Sequence, residues 1–228
     1  MDGADFLAAV QSDQATALDR LGSERALVAV TGAAIDRSTV LDRSLKAEAR
    51  AAATFEAWAD DEDVAIARTA FEDAASLERE HLARIQSLDG ETPTGGDGGA
   101  QDGQAIEADV RSDPEPDALH QYLRGLDETA ERVGAGLVGR PLVASRTLLQ
   151  VINFFVNEGD TTAAECFREL RRETDEQAAA GAGLFVEVTS DDAERDRARD
   201  SAISAIEVAY EEYVEQLTDM GVDPKPVC

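Results

Sequence analysis

A chain of 228 residues and 24.3 kDa with 43% hydrophobic residues can bury one sizeable core and needs at most one or two domains. Its 48 Asp and Glu against 21 Lys and Arg leave a formal charge of -27, which argues against phosphate-backbone binding by counterion release. Only two cysteines occur, Cys166 and Cys228, with no Cys-x-x-Cys pair, so neither a zinc ribbon nor a disulfide framework is expected.

The chain opens Met1-Asp2-Gly3-Ala4-Asp5, acidic from the start, without the basic segment and apolar core of a secretory signal. A helix is predicted from about Asp5 to Leu21, a short one from about Glu24 to Gly32, and a long one from about Ser38 to Ala59. The Asp60-Asp61-Glu62-Asp63 cluster then supplies carboxylates where the next helix, running to about Leu88, favours negative charge. The turn is short, so these two long helices are expected to be antiparallel neighbours. Gly90, Pro93, Gly95-Gly96, Gly98-Gly99, Gly103, Pro114 and Pro116 mark 89–117 as a flexible acidic linker inside one helical domain spanning 1–228.

After the linker, helices are predicted from about Ala118 to Gly134, from about Pro141 to Asn157 and, past a Glu158-Gly159-Asp160 turn, from about Thr161 to Val186. A last helix, about Asp191 to Met220, presents Ile203, Ile206, Tyr210, Tyr213 and Leu217 on one face and stops at Gly221. A common 96-residue offset sets Trp58 against Phe154 and Phe71 against Phe167, as a duplicated hairpin would. Strand signals are almost absent, and the fold class is all-α. Apolar runs such as Leu142 to Ala144 and Val151 to Val156 fall short of the about 18 residues that span a bilayer. A cytoplasmic protein with no membrane contact is therefore expected.

The stripe Val64, Ala67, Phe71, Ala74, Glu78, His81, Ile85 and Leu88 advances in steps of three and four, placing Glu78 and His81 on an apolar seam. Leu41, Leu45, Glu48, Ala52, Phe55 and Ala59 do the same for Glu48. Two carboxyls and an imidazole are thus predicted to face a shared interior. An unpaired carboxylate there costs several kcal/mol, so the trio must be neutralised, hydrogen-bonded or bound to a cation.

The segment Phe71-Glu-Asp-Ala-Ala-Ser-Leu-Glu78-Arg-Glu-His81 resembles the second helix of the rubrerythrin and ferritin-like family. In that family each of two hairpins supplies a Glu from its first helix and a Glu-x-x-His from its second, together holding two irons in a four-helix bundle. The resemblance covers about Ser38 to Leu88 and Pro141 to Val186. It implies a ferritin-like up-down four-helix bundle with additional N-terminal and C-terminal helices. It also implies Glu48, Glu78 and His81 as metal ligands, although Leu45 stands at the family's first glutamate and Glu48 nearly a turn later.

By the 96-residue offset, Thr174 and Gln177 replace the second Glu-x-x-His, and they sit on an inward seam with Ala163, Phe167 and Leu170. Three ligands remain where a di-iron centre wants about six. Two outcomes stay open for the trio. One is a metal-free hydrogen-bonded cluster with Thr174 or Gln177, helped by Arg146, which the ligand count favours. The other is a single iron, zinc or manganese ion.

Chain length and acidity also resemble haloarchaeal members of the group, some labelled transcription antitermination proteins. The resemblance implies a bundle with a largely lost di-iron site acting as a non-catalytic binding or regulatory protein. Its rivals are a metal-binding oxidoreductase or peroxide- or iron-handling protein using a residual half-site, and a transcription antitermination accessory factor working through protein contacts. The partner is expected to be a protein or a second copy, not nucleic acid. Outside the seams, His120 reads as a surface or capping residue, Cys166 as a small core residue, and Cys228 as an accessible thiol with no group to activate it.

Lysine occurs only at Lys46 and Lys225, and carboxylates are spread along the whole chain, as in a protein adapted to high salt. Near 1 M salt the Debye length is about 3 Å, which screens carboxylate self-repulsion. Thermal unfolding should accordingly shift to lower temperature as salt is diluted from molar to millimolar, and a flat melting temperature would remove the inference.

Overall fold

The computed structural model describes residues 2–89 and 115–224. Most of the predicted linker and Cys228 lie outside these. Helices α1 (Gly3–Asp13), α2 (Ala15–Leu21) and α3 (Arg25–Thr31) precede the long pair α4 (Arg37–Asp61) and α5 (Ala65–Asp89). The second half holds α6 (Ala118–Arg124), α7 (Thr129–Gly134), a π-helical turn (Ala135–Gly139), α8 (Arg140–Glu158), α9 (Thr161–Val188) and α10 (Asp192–Asp219). Among the described residues there is no strand, and no helix is long and apolar enough to cross a membrane.

The acidic composition is used locally at helix starts. Asp36, Asp117, Asp160 and Asp191 each accept a backbone N–H three residues on, from Thr39, His120, Ala163 and Glu194 at 2.8–3.0 Å. Such caps satisfy donors that the first turn leaves unpaired and place negative charge at the positive end of the helix dipole.

Two antiparallel hairpins form the centre. In the first, Arg37 at the start of α4 donates to the Leu88 carbonyl at the end of α5 (2.8 Å). In the second, Arg171 of α9 donates to Ser145 of α8 (3.2 Å), and Gly159 makes the turn with φ +73°. The hairpins meet through α5 and α9, where His81 and Arg84 both reach Glu173. The predicted α5 stripe is buried from Ala67 to Leu88; Val64, at the turn, is 42% exposed.

The apolar interior is divided into two. One part gathers Phe55, Trp58, Phe71, Leu137 and Leu142 with α1, α2 and α10. The other gathers Leu41, Leu45, Ile85, Leu148, Phe155, Phe167 and Leu170. Between them every central helix turns a polar residue inward: Glu48, Glu78 with His81, Ser145 and Thr174 are all buried. The aromatic repeat is displaced by one residue, because Phe155 rather than Phe154 stacks on Phe167 (5.4 Å between centroids).

Other expectations need correction. The helix expected from Asp5 to Leu21 is interrupted at Gln14, and the one expected from Ala118 to Gly134 breaks over 125–128. Conversely, no break separates Gly134 from Pro141. Pro141 has no N–H to donate and its ring crowds the preceding turn, which here widens to a π turn instead of ending the helix. Half of the buried face of α10 is alanine, Ala198, Ala202, Ala205 and Ala209 joining Ser201, Ile206, Tyr213 and Leu217, so α7 and the π turn approach it closely. Glu62 is also unlike the solvated acids around it. It is buried, accepts from Val64 N and Thr129 Oγ1, and faces Arg132 at 3.6 Å.

A methyl group at Gly134 would overlap the Ala198 carbonyl oxygen, whereas one at Gly183, exposed on α9, would meet nothing within 4 Å. Gly134→Ala should therefore destabilise by about 1–3 kcal/mol despite alanine's helix propensity, and Gly183→Ala should stabilise by up to about 1 kcal/mol. Denaturant unfolding of both variants checks this, and shifts of the same sign would contradict the close approach.

Candidate functional site

Glu48 comes from the inward face of α4, and Glu78 and His81, one turn apart, from that of α5. Their exposures are 6%, 1% and 1%, and one donor atom of each lies within 4.8 Å of the others. The structure thus brings together the trio that the seams predicted.

Into it α8 adds a residue that the expected helix start at Pro141 leaves in a loop. Buried Arg140 donates from Nη1 to Glu78 Oε1 and from Nη2 to Glu78 Oε2, the second bond at 3.1 Å. The same Nη2 lies 3.9 Å from Glu48 Oε2, and Cζ sits 5.8 Å from the Phe55 ring centroid. A two-pronged guanidinium on a carboxylate is the strongest form of this pairing, and in a buried site it supplies a positive charge to the acids.

His81 is oriented from outside the trio. Its Nε2 lies 3.0 Å from Glu173 Oε2, an oxygen that also takes Arg84 Nη2 at 2.5 Å. A carboxylate can only accept, so Nε2 carries the proton and Nδ1 keeps its lone pair. That Nδ1 has no hydrogen-bond partner and stands 3.6 Å from Glu48 Oε2 and 3.9 Å from Glu78 Oε2. Burial lowers the imidazole from its usual value and keeps it neutral.

Burial also pushes the Glu78 carboxyl up to about 7 against the pull of Arg140, with the hydrogen bond and charge of Glu48 adding to the rise. The charge count agrees. Two carboxyls facing one guanidinium leave one negative charge too many, and uptake of a single proton by the group makes it neutral.

The opposing hairpin contributes less than its seam promised. Gln177 Nε2 donates to Glu78 Oε1 at 3.3 Å, but Thr174 is turned along its own helix, donating to the Leu170 carbonyl at 2.9 Å. Arg146 is not the arginine of the cluster; its side chain packs beside Gly22. A two-metal centre does not fit this donor set, for want of ligands. The trio alone could hold a single divalent ion, which takes O and N donors at about 2.0–2.2 Å. With Arg140 in place that ion would share Glu78 with a guanidinium and leave the buried group with excess positive charge. The residues present fit a proton and an arginine better.

Sequence reasoning missed Arg140 and Glu173. Arg140 lies between a glycine and a proline, and the expectation of a hydrogen-bonded cluster named Arg146 in its stead. Glu173 is beside the predicted seam, and its side chain reaches round the edge to His81. His120, expected at the surface or in a cap, is 4% exposed, its Nδ1 2.7 Å from Oδ1 of the N-cap Asp117. Cys166 is half-buried against the second apolar group. Comparison with protein-family models, curated proteins and solved structures finds no match for this chain.

Glu78 binds its proton more tightly folded than unfolded, so its contribution to stability is present below the ordinary 4.5 and is lost as pH rises through about 7. His81 acts oppositely, its burial weakening the fold as pH falls below the ordinary 6.5. Glu78→Gln isolates the first effect. Relative to that variant, the wild type should lose up to about 3 kcal/mol between about pH 4 and about pH 8 in denaturant titrations at molar salt. A flat or rising difference would refute the raised Glu78 carboxyl.

Proposed function

We propose that the protein is a rubrerythrin-like, ferritin-like bundle whose metal centre has been replaced by an internal arginine, and that it acts as a non-catalytic binding or regulatory protein. The observation that carries this reading is the Arg140 guanidinium on both oxygens of Glu78. Kinship with the metal-binding family is supported by a Glu on α4 and a Glu-x-x-His on α5, buried and convergent, opposite a hairpin that offers only neutral side chains at Thr174 and Gln177. Replacement of metal by arginine conserves what the interior needs, a positive charge among carboxylates, while removing open coordination positions. With a formal charge of -27, a macromolecular partner is a protein, and an accessory role in transcription would run through protein contacts.

One observation favours a second reading. Nδ1 of His81 faces two carboxyls without a partner while Nε2–H is held by Glu173, the outer hydrogen bond that metal-binding histidines usually make. On that reading Glu48, Glu78 and His81 hold one iron, zinc or manganese ion.

Elemental analysis of protein purified in molar salt without chelator separates the two. The wild type should carry well under one equivalent of metal, and EDTA should leave its melting temperature unchanged. Arg140→Met should lose about 3–5 kcal/mol by stranding buried acids and recover part of it on adding Zn²⁺ or Mn²⁺. One equivalent of metal in the wild type that disappears in His81→Ala would replace the first reading with the second.

A further inference from the structure

A trough of about 590 Å³ runs between α5 and α9, open along its length. Ile66, Ala70 and Leu77 of α5 and Leu184 of α9 give it apolar walls, and Leu137 of the π turn gives it a floor. The floor is reached because α9 carries no side chain at Gly181, where a methyl group would overlap the Leu137 carbonyl. Ile66 is 43% exposed and Ala180 stands exposed at the α9 edge, so the trough is apolar surface that the bundle itself leaves uncovered.

The lining advances in steps of three and four on both sides, from Ile66 to Leu77 and from Glu173 to Leu184. Each wall is therefore a helix face about 16 Å long, or three turns. Both walls spend their backbone N–H and C=O groups within their own helices and offer no edge to an extended chain. An occupant has to satisfy its own backbone, which a helix does and a strand does not.

Charge selects among helices. Asp73, Glu173 and Glu176 line the rim, and no lysine or arginine does. Glu173 is held by Arg84 and Glu176 by Arg172, both from outside the trough. Asp73 makes no ion pair among the described residues, and neither does Glu80, further along the same exposed face of α5. A helix with acids beside its apolar stripe, or the same face of a second copy, would set carboxylates against these. A helix flanked by lysine or arginine would complement them.

We propose that the trough between α5 and α9 docks a helix of a partner protein, three turns long, with an apolar face flanked by basic residues. The inference rests on the reading of the bundle as a binding protein and names the surface and the kind of partner. Its readout involves no metal, so metal content and helix docking can fail independently.

The test titrates the full chain into three fluorescein-labelled synthetic peptides of about four turns and follows anisotropy. The first peptide carries leucines in steps of three and four with lysines beside them. The second replaces the lysines with glutamates, and the third keeps the composition of the first in an order that has no apolar face. The titrations are run near 1 M salt, where a Debye length of about 3 Å suppresses general attraction of cations to the acidic surface. Saturable one-to-one binding of the first peptide alone is expected. Ala180→Arg, which puts a large cation into the trough from an exposed position, should abolish it and leave the melting temperature unchanged. Asp73→Lys should weaken it about threefold or more. No saturable binding of the lysine peptide at millimolar concentration, equal binding of either other peptide, or wild-type affinity in either variant would overturn the proposal. So would a wild-type dimer in sedimentation that Ala180→Arg dissociates, since a second copy would then occupy the trough.

Discussion

The structure turns on one ion pair. Arg140 and Glu78 are both buried, and the guanidinium grips the carboxylate with both nitrogens. Each ion alone would be untenable in this interior, and together they are tolerable because their geometry satisfies both and because Glu48, Gln177 and the face of Phe55 complete the surroundings. The apolar groups on either side of this layer fill volume, but hydrophobic contact is non-directional and would accept several alignments of the helices. The polar layer does not: a slide of α8 by one turn, about 5.4 Å, would separate the ions and leave both buried without a partner.

That constraint explains the irregular stretch before it. Gly134, Gly136 and Gly139 let the chain pass α10 and Trp58 at distances no side chain would permit, and the π turn ahead of Pro141 inserts an extra residue into the helical register. Arg140 is the first residue after that turn, and its side chain enters the layer between the hairpins. The small alanine face of α10 belongs to the same solution, since it is what the glycines approach. Local features that look unrelated in the chain, a glycine-rich run and an alanine-rich helix, are two sides of one contact.

Charge is managed differently inside and outside. On the surface the acidic excess caps helices and is left to solvent and salt. Inside, the acids face compensating groups: Arg140 for Glu78 and, at 3.9 Å, for Glu48, Arg132 for Glu62, Arg84 and the His81 N–H for Glu173, Arg50 and the His120 N–H for Asp117. Arginine serves throughout, as its forked donors and permanent charge suit carboxylates in low dielectric better than lysine. Among the described residues the buried side-chain atoms left without a hydrogen-bond partner are Nδ1 of His81, Nε2 of His120, Oε1 of Gln177 and Oε2 of Glu62, the last facing Arg132.

The sequence by itself determined the helices, their antiparallel pairing and the convergence of Glu48, Glu78 and His81, because a 3.6-residue period writes the buried face of each helix into local spacing. It also implied that those acids must be neutralised, hydrogen-bonded or bound to a cation. Which of these holds, and which residue supplies it, was decided only by tertiary structure. Arg140 sits where glycine and proline signal a break, and the break is absent because close packing against α10 overrides the local preference. The half-exposed Glu173, the buried His120 and the inward Glu62 were hidden for the same reason: a side chain at the edge of a helical face is assigned to solvent or interior by what packs beside it, and periodicity describes one helix at a time.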